Sequence, residues 1–156
     1  MMTNRRDPRL RFLFPFMVVI ILPLALVGCS VKFISDYDEV TDRSVIELQK
    51  RVETFLVKME GVAGTSAGEY ANNRAFYDET KVALSGMRVR AAAIPKNELT
   101  MQAVALIEEN IENLRQLHER RGEKGLSKLL VEPIRTALNT QFTAIMKLEL
   151  AKKRGD

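Results

Sequence analysis

A chain of 156 residues with 46% hydrophobic and 28% charged side chains has the length of one domain and a composition suited to a packed core. Its formal net charge of +4 is concentrated at the start, where Arg5, Arg6, Arg9 and Arg11 stand against Asp7 alone; from residue 29 onward 20 basic residues face 19 acidic ones. That near-neutral remainder argues against a nucleic-acid groove, and one cysteine allows neither an internal disulfide nor a thiolate metal cluster.

The first segment has the three parts of an export signal: the arginines, an apolar run from Phe12 to Val27, and a cleavage-type end at Leu26-Val27-Gly28-Cys29. The run is short for a membrane span of about 20 apolar residues and is interrupted by Pro15 and Pro23, which favours removal over an uncleaved anchor. Asp7-Pro8 directly after Arg5-Arg6 fits a twin-arginine signal poorly, so the arginines serve as a general positive n-region.

Leu26-Val27-Gly28-Cys29 resembles the lipobox of bacterial lipoproteins. The resemblance implies a diacylglycerol on the sulfur of Cys29, with Leu26, Val27 and Gly28 as the processing motif. It also implies a membrane-held protein facing the periplasm. Ser30, following the lipidated cysteine, implies sorting to the outer rather than the inner membrane. The resulting organisation is a signal peptide over 1–28, the lipidated cysteine and a tether over 29–41, and a helical domain over 42–156. The acidic lead-in SVKFISDYDEVT has few apolar partners and reads as a loosely packed tether.

From Asp42 the apolar residues recur at helical spacing. Val45, Leu48, Val52, Phe55, Met59 and Val62 define a first helix, which starts near Asp36 or Asp42 or is capped by a box of Ser44 and Glu47, with Gly61 and Gly64 as its stop. A Gly/Ala/Ser-rich loop follows, pinned by Tyr70. A second helix, capped by Asn72 or Asn73, buries Phe76, Ala83, Leu84, Met87, Ala91 and Ile94 and ends at Pro95. A third, capped by Asn97, buries Val104, Ile107, Ile111, Leu114 and His118, with Met101 and Leu117 widening the stripe. Its Glu108, Glu109 and Glu112 face the Arg74, Lys81, Arg88 and Arg90 of the second helix in an antiparallel hairpin.

The last helix starts near Ser127 or, if Pro133 breaks it, near Glu132, with a kink or a short separate turn expected before it, and turns Ile134, Leu138, Phe142, Ile145 and Leu148 inward; Lys152, Lys153 and Arg154 suit its negative pole. No segment alternates with period two. The fold class expected is all-α, a small antiparallel bundle of about four helices.

Catalytic constellations are missing from the sequence. His118 is the sole histidine, without a second His or Cys to complete a metal or nucleophile set. Its role is structural, or else it ligates a haem or lines an apolar ligand pocket with a methionine from another helix. The carboxylates lack the Glu-x-x-His pairs of a di-iron bundle, and no phosphate-binding glycine loop occurs. The chain is therefore read as a noncatalytic envelope module with no cofactor beyond the lipid at Cys29, binding a protein or another envelope component. At the level of class it is similar to pilotins, small helical lipoproteins that escort secretin subunits, through the lipobox and the helical body. A spacer without a specific ligand is a further reading.

Overall fold

The computed structural model describes residues 34–155; the readings of Leu26, Val27, Gly28, Cys29 and Ser30 lie outside the described residues. Four helices account for most of the chain: α1 Glu39–Val62, α2 Arg74–Ala93, α3 Glu98–Arg121 and α4 Lys128–Gly155. Single 3-10 turns at Ser66–Gly68 and Tyr70–Asn73 carry α1 into α2, and one at Gly122–Lys124 carries α3 towards α4. Each helix packs on its successor and α4 closes back on α1, so the fold is the antiparallel four-helix bundle expected, with no strand among the described residues.

The core follows from strict alternation of three- and four-residue steps. Val45, Leu48, Val52, Phe55 and Met59 are buried on α1, Tyr77, Thr80, Leu84, Met87 and Ala91 on α2, and Thr100, Val104, Ile107, Ile111, Leu114 and His118 on α3. On α4 the same rhythm takes in Leu138, Phe142, Ile145, Glu149 and Lys152. A mean step of 3.5 keeps one seam facing the bundle axis, as in knobs-into-holes packing. Each fully buried Leu, Ile, Val or Phe contributes about 1.5–3 kcal/mol relative to exposure.

Several sequence expectations are corrected at this point. The second helix buries Tyr77 and Thr80, whereas Phe76 and Ala83 are only partly buried and Ile94 is the C-cap residue. Met101 is exposed, and Leu148 yields its inward place to Glu149. The first helix begins at Glu39, because the Asp38 carboxylate accepts from Thr41 N at 2.9 Å and caps it; Ser44 instead donates back to the Val40 carbonyl. Pro133 lies inside an unbroken α4. The carbonyl that loses its helical partner belongs to Leu129, which is 86% exposed, so water can satisfy it.

The two connections at one end of the bundle touch through their backbones. Gly125 sits at φ +58, and a Cβ there would come within 2.7 Å of the Gly68 carbonyl oxygen. A Cβ on Gly68 would in turn strike the Val62 carbonyl. Glycine is required at both positions by close approach, and at Gly125 by the left-handed conformation as well.

Candidate functional site

His118 lies at the Gly68 end of the core, completely buried, with Phe55, Tyr70 and Tyr77 around its ring. Its Nε2 is 2.8 Å from the Gly68 carbonyl, which can only accept, so this nitrogen carries the proton. Nδ1 then accepts from the Tyr77 hydroxyl, also at 2.8 Å. Burial holds the imidazole below its ordinary pKa, opposed in part by the Gly68 bond, and burial pushes the Tyr77 phenol well above its own. Both ring nitrogens are thus engaged by the protein, and an iron or other ligand at His118 would have to displace one of these partners.

The opposite end holds a buried polar cluster built on two residues read from the sequence only as helix-end groups, Lys152 at the negative pole of the last helix and Asn97 as a cap. Lys152, 4% exposed, donates from Nζ to Glu149 Oε1, Thr100 Oγ1 and Asn97 Oδ1, each at 2.7 Å. Thr100 donates to Glu149 Oε1 at 2.8 Å, and Glu149 is fully buried with its Oε2 unbonded. These three bonds use all three donors of the buried ammonium. The Asn97 side chain does not cap α3. It donates to the Ala91 carbonyl and accepts from Lys152 and from Ser35 Oγ. The heptad continuation from Ile145 to 149 and 152 was the signal for this cluster.

Through Ser35 the cluster grips the lead-in, which is docked and not a loose tether over its described part. Ser35 is buried; its Oγ donates to Asn97 at 2.9 Å and its N–H to the Lys96 carbonyl at 2.9 Å. Lys96 adopts φ 60 to present that carbonyl, a conformation costing a non-glycine residue about 1–2 kcal/mol. Three residues on, both Asp38 oxygens are held by Arg90 at 2.6 Å, so Arg90 and Thr41 hold the carboxyl well below the usual carboxylate range. Tyr37 donates to Asp42, whose carboxylate raises the phenol to about 12, and its ring lies 5.0 Å from Lys153 Nζ.

The charge pairing expected between the second and third helices is sparse. Arg88 meets Glu108 at 3.4 Å, but Arg90 turns to Asp38, and Glu112 turns to Arg115 and Gln116 on its own helix, which lower it to about 2. A cleft of about 670 Å³ remains between α2 and α3, where Arg74, Lys81 and Arg115 are interspersed with Asp78, Glu108, Glu109 and Glu112. Such a mixed lining is well hydrated and selects for no single charge.

The α1–α2 seam is different in kind, being the least closely packed of the four neighbouring pairs. One groove of about 500 Å³ is floored by Phe55 and Phe76, stacked at 3.7 Å, with Lys50, Arg51 and Lys58 along its rim. A second, of about 290 Å³, lies nearer Arg90 and is lined by Val40, Leu48, Val82, Ala83 and Gly86. Val82 is 73% exposed, and a Cβ on Gly86 would meet open space. Small residues at Ala75, Ala83 and Gly86 keep this side of α2 low. Sequence reasoning placed Phe76 and Ala83 in the core and so did not see the seam.

No group of three or more metal-binding side chains occurs among the described residues, and no described helix is long and apolar enough to cross a membrane. No family model matches the chain, and comparison with curated proteins and with solved structures finds no match.

Proposed function

We propose that the chain is a noncatalytic, lipid-anchored binding module of the bacterial cell envelope, held by lipid at Cys29, facing the periplasm, and receiving a protein partner along the α1–α2 seam. The observation that carries the partner site is the combination of an aromatic floor, exposed Val82 and a low wall of Ala83 and Gly86 in one open seam. Exposed apolar surface between helices is where an amphipathic helix or apolar anchor residues find cover. The engagement of His118 by Tyr77 and Gly68, and of Lys152 by Glu149, supports the noncatalytic reading, because these buried ionisable groups already serve the fold. Ser30 supports delivery to the outer membrane.

Two readouts test the two halves of the proposal. Metabolic palmitate labelling is expected in the wild type and absent from Cys29→Ala; equal labelling of both removes the anchor. A photo-crosslinking side chain at Val82 is expected to give a discrete envelope-protein adduct that Gly86→Leu abolishes by filling the groove. The same probe at exposed Thr143, on the outer face of α4, should give none. Identical adducts from Val82 and Thr143, or an adduct indifferent to Gly86→Leu, would remove the seam as the partner site.

A further inference from the structure

Among the described residues, five side chains on one end of the bundle are apolar and exposed: Val40, which also lines the smaller seam groove, Val89, Leu99, Met101 and Leu150. Each lies within five residues of a helix terminus, so all fall within about 8 Å of that end at 1.5 Å per residue. By the same measure the opposite end shows two, Val57 and Leu129, and the remaining strongly exposed apolar residues lie mid-helix. Pro95 and Lys96, both exposed, form the α2–α3 turn between the two groups of α2 and α3 residues, and exposed Lys153 and Arg154 close α4 beside them. Asp36 and Glu98 share this end, so its charge is close to balanced and its distinguishing property is apolar.

The lead-in decides what covers this face. Ser35 is fastened to this end by Lys96 and Asn97, and it stands six residues after Cys29. Six residues reach at most about 20 Å. A lipid on Cys29 therefore leaves this end little room to stand away from the bilayer surface.

We infer that this end of the bundle is a membrane-contacting face, with Leu99 and Pro95 entering the headgroup layer and Lys153 and Arg154 reaching lipid phosphates. Apolar side chains at the headgroup boundary with basic residues behind them are the arrangement by which proteins lie against a bilayer. The inference rests on the anchor proposed at Cys29, and it leaves the α1–α2 seam running away from the membrane, open to a periplasmic partner.

The chain has no tryptophan, so single tryptophans report position cleanly. Leu99→Trp and Leu129→Trp make a matched pair, each at the second residue of a helix and strongly exposed, at opposite ends of the bundle. The full chain, produced in a bacterial host, is reconstituted into vesicles of equal parts phosphatidylcholine and phosphatidylglycerol, with and without brominated acyl chains. Co-flotation with the vesicles, a blue-shifted Leu99→Trp emission and its quenching by about twofold or more are expected, with Leu129→Trp unaffected, because interfacial contact buries side chains only about 5–10 Å deep. Co-flotation with equal quenching of both tryptophans, or of neither, overturns the membrane-contacting face while keeping the anchor. Shielding of Leu99→Trp that follows protein density and not bromination assigns the face to a second copy and also overturns it. Failure to co-float overturns the anchor and this inference together.

Discussion

Lys152→Met is expected to lower the free energy of unfolding by about 3–5 kcal/mol, the cost of leaving one partner of a buried ion pair uncompensated. Glu149 would be left in a fully buried position without its cation, with Oε2 unbonded and only Thr100 still donating to Oε1. Asn97 Oδ1 would retain Ser35 as its donor, so the loss centres on the carboxylate. The double variant Glu149→Leu/Lys152→Met removes both charges and is expected to recover most of the loss or to exceed the wild type, since a well-packed apolar pair avoids the desolvation of two ions. Denaturant midpoints at unchanged slope decide the matter. A single variant within about 1 kcal/mol of wild type would mean that the pair is solvated like a surface bridge.

His118→Ala is expected to cost a comparable amount, about 3–5 kcal/mol, by removing a large ring from a closed aromatic cluster. It also deprives the Tyr77 hydroxyl and the Gly68 carbonyl of their partners, and each buried polar group so orphaned costs about 1–3 kcal/mol. The histidine carries a pH signature too. Its folded pKa is lowered by burial while the unfolded chain titrates near about 6.5, so below that pH the unfolded state binds the proton first. The stability it contributes is fully present above about 6.5 and falls with decreasing pH, by up to about 1.4 kcal/mol per unit, until the folded pKa is reached. His118→Phe keeps the ring volume and removes the titration. The difference between wild type and this variant should shrink as pH falls from 7 towards 5, and a difference flat across that range would mean that the ring is not held neutral.

Helix number, order and most of the inward residues were legible because a mean period of 3.5 is a strong pattern even in one sequence. Leu138, Phe142 and Ile145 on α4 and Val104 to His118 on α3 were read directly from it. The misplacements share one cause, the weighting of side-chain type above spacing. Phe76 looked more apolar than Tyr77, yet the alternating steps through 80, 84, 87 and 91 include Tyr77, whose hydroxyl is satisfied by His118. Glu149 and Lys152 continue the steps of Phe142 and Ile145, but charged residues are rarely buried unless paired, and here each is the other's partner at a spacing of three. The docking of Ser35 had no local signal at all. It depends on Asn97, 62 positions away, and on a left-handed Lys96. The α1–α2 seam emerges only once Phe76 is placed on the groove floor beside Phe55 and not within the core.

The way the lead-in is fastened also sets a mechanical load path. Tension arriving from the N-terminal side meets Ser35 first, bonded to the α2–α3 turn and, through Asn97, to Lys152 on α4; next it meets Asp38, clamped by Arg90 on α2. Force is shared among three helices before it reaches the first turn of α1. The contacts of Ser35 and Asp38 must therefore yield before tension can unwind α1 from its N-terminus.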